Sequence, residues 1–140
     1  MAAFFMSRFE EITLLLLRVM AGLMLMQHGA QKMFGVLGGE VPPSFSRGWI
    51  AGVLELVLPI FVVLGLGTRV AAFILAGEMA FAYFLGHASG GFWPVVNKGE
   101  LAALYSFVFL YLSARGAGRY SIDAMLARRR GGAPERRPTS

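Results

Sequence analysis

The sequence predicts an all-α integral membrane protein, a four-helix bundle with both termini on one side, and three observations predict it. Of the 140 residues 56% are hydrophobic and only 15% charged, against roughly 45–50% and about 25% in soluble domains. The apolar residues gather into four stretches of near-spanning length, separated by Gly- and Pro-rich breaks. The positive charges gather on one side of the layout that those stretches imply. A chain of this length holds about four helices of ~20 residues and little else.

Span one is expected at residues 12–34, where Leu14, Leu15, Leu16 and Leu17 lead into a Met-rich half. A signal peptide has a shorter apolar core, so this span is read as retained. Gly38, Gly39, Pro42 and Pro43 break it, because proline lacks the backbone donor and glycine has no helical bias. Span two, residues 48–66, begins near Trp49, a side chain suited to the headgroup level, and contains Pro59 as an expected kink. A tight turn at 65–69 leads to span three, residues 70–87. Gly90, Gly91 and the aromatic group Phe92, Trp93, Pro94 then precede span four, residues 99–114. Beyond Arg115 the sequence turns rich in Arg, Gly and Pro. Residues 127–140 are read as a basic disordered tail, with too little apolar surface to fold.

An even number of spans puts both termini and the 65–69 turn on one side. That side collects Arg8, Arg69, Arg115, Arg119, Arg128, Arg129, Arg130, Arg136 and Arg137, nine of the 13 Lys and Arg residues; Lys32, Arg47 and Lys98 lie opposite, and Arg18 within the bilayer. The positive-inside rule makes the Arg-rich side, and with it both termini, cytoplasmic. The tail is expected to lie against anionic membrane lipid. With no aromatic stacking platform in it, no nucleic acid is expected as a partner.

Cysteine is absent. That removes thiol–disulfide exchange, Fe–S ligation, thiolate zinc sites and covalent c-type haem from the chemistry available to the chain. A redox role would need a borrowed carrier.

The polar residues inside the spans carry the functional information, since an ionisable group at mid-bilayer costs on the order of 2.5–3.5 kcal/mol and normally faces the protein interior. At 1.5 Å per residue, Arg18 lies ~9 Å in from the cytoplasmic surface and Glu55 ~10 Å below the outer one, level with His28. Five groups from four helices fall in the outer half: His28, Lys32, Glu55, His87 and Glu100, with Glu78 beneath them. Gln27 with Gln31 and His28 with Lys32 are one turn apart, and Gly22 and Gly29 permit close helix approach. Gln31 therefore joins the expected ligand-binding pocket. A quinone is the occupant these groups suit, because its reduction couples electrons to protons that Glu or His can exchange, with Lys32 and His28 steadying a carbonyl. No metal is expected, for want of HExxH or ExxH spacing, and no bis-histidine haem, because His28 and His87 differ in depth. The bland alternatives are snorkelling for Lys32 and Lys98, backbone or lipid pairing for Arg18, and simple cross-linking by the carboxylates.

A resemblance adds to this. Arg18-x3-Gly22 with His28-Gly29-x2-Lys32, Gly52-x2-Glu55, Gly65-x2-Thr68-Arg69, Gly77-Glu78-Met79 with His87, Phe92-Trp93-Pro94-x2-Asn97-x-Gly99-Glu100 and Gly118-Arg119-Tyr120-Ser121-x-Asp123 stand in the order of the landmarks of the DoxX family of small four-helix bacterial membrane proteins. The resemblance covers about residues 12–126 and makes 1–126 one DoxX-like domain, with Arg18, Arg69 and Asn97 as structural positions. It implies a subunit of a redox system in the bacterial inner membrane, since some relatives are associated with thiosulfate:quinone oxidoreductase and mycobacterial ones with oxidative-stress complexes. Fold likeness does not carry an activity by itself. The alternative expectation is a non-catalytic scaffold or anchor that recruits a partner protein or forms a homo-oligomer.

Overall fold

The structure, a computed structural model, describes residues 2–131, with side chains described from Ser7 onward. Among the described residues it is all-α, with six helices and no strand. Helix α1 (Ala2–Phe34) starts ten residues before the expected first span. Helices α2 (Arg47–Leu64), α3 (Thr68–Gly86) and α5 (Glu100–Arg115) follow the other three within two residues at each end. A 3-10 turn (Ala88–Gly90) and the short α4 (Pro94–Asn97) fill the link between α3 and α5. Helix α6 (Ile122–Gly131) takes up residues 127–131, assigned above to the tail; the rest of the tail lies outside the described residues.

Local chemistry explains the boundaries. Ser46 caps α2 by accepting from the Trp49 amide at 3.2 Å. Pro59 sits inside α2 without ending it. Gly65 does end it, in the left-handed conformation, with the Leu66 amide donating back to Phe61 and the Gly65 amide to Val62. Gly67 offers α3 no side-chain cap. Asp123, the first acid of α6, supplies one from 55 residues away: its carboxylate accepts from the Gly67 amide at 2.9 Å and the Thr68 amide at 3.3 Å.

Helix α1 packs along α2 and α3 along α5, while α2 against α3 joins the two pairs. The first contact is close because of glycine. A Cβ on Gly29 would stand 2.5 Å from the Leu56 nitrogen, and one on Gly52 2.8 Å from the Lys32 Cβ, so a side chain at either position would push the helices apart. Leu25, Val62, Leu75, Phe109 and Leu112 fill the centre.

Polarity runs inside out. Arg18, at 1% exposed, and Glu55, at 2%, are among the largest fully buried side chains, whereas Leu16, Met20, Phe73, Phe81, Phe107 and Leu110 face outward. Such an apolar exterior far exceeds what a soluble monomer leaves to water, and it suits lipid. By length and composition, Arg47–Leu64 and Thr68–Gly90 can each cross a membrane.

Candidate functional site

A cavity of about 260 Å³ lies where α1, α2, α3 and α5 come together at the end bearing the 91–99 link. Helix α1 contributes Leu25, His28 and Lys32, α2 Glu55, α3 Met79 and Ala82, and α5 Leu101, Ala102 and Tyr105; His87 and Lys98 complete its rim. The wall is thus part apolar, with a few convergent polar groups, the usual make-up of a small-molecule site.

Lys32 Nζ donates to both Glu55 oxygens, at 2.6 and 2.7 Å. The close contact at Gly29 and Gly52 brings the two side chains within reach. This pair satisfies the buried carboxylate, which would otherwise carry an uncompensated charge. His28 sets its ring edge-to-face on Tyr105, centroids 6.5 Å apart. Tyr105 is 5% exposed and its hydroxyl has no hydrogen-bond partner among the described residues. A buried polar group without a partner is uncommon in folded proteins.

At the rim, His87 Nδ1 lies 3.2 Å from the Asn97 carbonyl. Asn97 ties the link together: its Oδ1 accepts from the Gly99 amide at 2.8 Å, and its Nδ2 donates to the Gly91 carbonyl at 2.9 Å and the Tyr83 hydroxyl at 3.2 Å. Lys98 follows in the left-handed region, φ 60°, an uncommon state for a residue with a Cβ, and is among the residues lining the cavity.

Of the residues singled out from the sequence, the structure brings His28, Lys32, Glu55 and His87 together on this wall. It does not bring Gln31, Glu78 or Glu100. Gln31 Nε2 donates instead to the Leu37 carbonyl at 2.9 Å and fastens the α1–α2 loop, and Glu100 is exposed at the start of α5. Glu78 stands behind the wall within the electrostatic reach of Glu55 and Lys32, one carboxyl oxygen buried and without a hydrogen-bond partner. Tyr105 was missed by the sequence reading. The signal for it is the stripe Leu101, Ala102, Tyr105, one face of a helix at i, i+1, i+4.

The other end of the molecule is a polar clasp on the C-terminal segment. Arg18 Nη1 donates to the Ala117 carbonyl at 2.6 Å and Nη2 to the Tyr120 carbonyl at 2.9 Å, the backbone pairing considered for it above. Arg69 caps the C-terminus of α5 through the carbonyls of Ser113, Ala114 and Arg115. Glu11 accepts from Arg115 Nη2 at 2.8 Å and from the Arg119 amide at 2.7 Å. The Arg119 amide and the Arg115 guanidinium outweigh burial and hold the Glu11 carboxyl below its usual range. A cavity of about 340 Å³ opens here beside Arg69, Arg115, Ser121 and Asp123, but Arg115 already serves Glu11 and the other three serve the backbone.

Comparison with known proteins identifies the family. An uncharacterized protein of Haemophilus influenzae is 40% identical over 125 residues, 84% of this chain and 93% of that protein. An uncharacterized membrane protein of Mycobacterium tuberculosis is 32% identical over 135 residues, covering 81% of this chain and 80% of its own. No solved structure matches. The DoxX family profile matches residues 13–88, which run from the start of the first apolar stretch to just past His87, and the chain belongs to the DoxX family of membrane proteins.

Proposed function

We propose that this protein is an inner-membrane subunit of a redox system whose cavity receives the head of a quinone or a similar small ring. In this reading the four long helices cross the membrane as a bundle, both termini are cytoplasmic, and the cavity lies in the outer half. The observation that carries the reading is the buried, unpartnered Tyr105 hydroxyl on a residue of the cavity wall, with His28 set edge-to-face on its ring and His87 among the same lining residues. A quinone oxygen would give that hydroxyl a partner, and Leu25, Met79 and Leu101 would take the ring. Lys32 and Glu55 already neutralise each other, so the pair shapes the cavity while His28 and His87 remain for the ligand. The quinone would be one redox partner, and the group that gives it electrons or takes them from its quinol would sit on a partner protein, since the chain has no cysteine to hold a metal–sulfur centre.

Titration of the full chain in lipid nanodiscs with a short-chain benzoquinone tests this. Saturable binding that His28→Ala and Tyr105→Phe weaken, with helical content kept, is the expected result. No saturation in the native protein rejects the reading.

A scaffold or anchor is the second reading. Arg128, Arg129 and Arg130 stand exposed on α6 and offer a basic surface to an acidic partner protein or to anionic lipid. Partner capture that survives loss of the cavity histidines but not removal of residues 127–140 would favour it.

A further inference from the structure

We infer that the cavity prefers the reduced, hydroxyl-bearing ring over the quinone, with Nε2 of His87 accepting the ring hydroxyl. The inference rests on the quinone reading above and adds which redox form the site holds. A carbonyl oxygen can only accept, so in the 3.2 Å contact with Asn97 it is His87 Nδ1 that carries the proton. In a neutral imidazole this fixes the tautomer and leaves Nε2 with its lone pair, on a residue that lines the cavity. The tautomer is held firmly because the Asn97 carbonyl is itself held: the side chain beneath it is pinned to Gly91, Tyr83 and Gly99.

The other polar groups do not supply the same discrimination. Both Glu55 oxygens are taken by Lys32. Tyr105 can donate or accept, and His28, with no hydrogen bond fixing its tautomer among the described residues, can do either as well. Lys98 donates and is satisfied by an oxygen of either redox form. Apart from the ion-paired Glu55, whose carboxylate is buried against Lys32, His87 is the described wall residue that presents an acceptor whose polarity is set in advance. A quinone carbonyl facing it would put two acceptors together and leave both unmatched, whereas a quinol hydroxyl completes the bond. An unmatched acceptor in such a site weakens binding by on the order of tenfold.

The experiment compares a short-chain benzoquinone with its quinol, under anaerobic conditions, on the full chain in lipid nanodiscs. The quinol is expected to bind about tenfold more tightly. His87→Leu is expected to abolish that difference, weakening the quinol while relieving the quinone of the facing acceptor, and Asn97→Ala, which unpins the link bearing the carbonyl that holds the ring, to narrow it. Equal affinities in the native protein, or a His87→Leu variant that weakens both forms alike, overturn the inference while leaving the quinone reading standing. Binding of neither form overturns both. The native-protein ratio decides the matter even where a variant fails to fold.

Discussion

Lys32 and Glu55 close on each other across the α1–α2 interface, the ammonium 2.6 Å from one carboxylate oxygen and 2.7 Å from the other. The acid is buried and the lysine about one-third exposed, with 33% of its side chain accessible. This single contact closes one side of the cavity and couples helix packing to the site.

Removing one partner leaves the other in an apolar setting. Lys32→Met should destabilise the protein by ~3 kcal/mol, the low end for a broken buried pair because the lysine is partly exposed. The double variant Lys32→Met with Glu55→Leu should regain most of that loss, since apolar groups of similar volume need no partner. Thermal unfolding in nanodiscs measures both. Equal losses in the single and double variants would show that the pair is not what holds α1 to α2.

Arg18 reaches two carbonyls of the C-terminal segment with a planar fork that lysine lacks. Arg18→Lys should therefore cost about 1.5–3 kcal/mol, the worth of hydrogen bonds to a charged donor, and speed tryptic cleavage after Arg115 and Arg119. Unchanged cleavage would mean that the clasp holds without Arg18.

Glu11 gives the clasp a pH dependence. Its carboxyl is held below the ordinary value of 4.5, first by the Arg119 amide and then by Arg115. A depressed folded-state value means that the stabilisation is complete above pH 4.5 and is lost as pH falls through the folded value. Amide exchange across residues 116–121 should rise as pH drops below that point, after correction for intrinsic rates. Glu11→Gln should remove the pH dependence, keeping one acceptor without the charge.

Much of this was legible in the sequence, and the limits have a physical cause. Position along a helix follows from residue count, which grouped His28, Lys32, Glu55 and His87 toward one end of the helices, and the structure lines one cavity with them. The angle around the helix does not follow from the count, because it depends on which face meets which neighbour. Gln31 is only one residue from Lys32, about 100° around the helix, and that rotation sends it to the Leu37 carbonyl rather than the cavity. Glu100 is exposed although Leu101, next to it, lines the cavity. Gly22 and Gly29 marked the close contact correctly, since small residues at helix interfaces act through backbone approach. Tyr105 gave no charge signal, and Asp123 capping α3 is a pairing across 55 residues that no local pattern encodes.

Occupancy of the cavity tests the central claim most directly. The protein would be extracted from its native membrane in mild detergent, and the bound quinone and quinol quantified by mass spectrometry alongside Ala102→Phe, which fills the cavity without removing any polar group. Near one molecule per chain in the native protein, falling at least tenfold in the folded variant, is the predicted result. No bound quinone or quinol in the native protein, or equal amounts in the two, would contradict it.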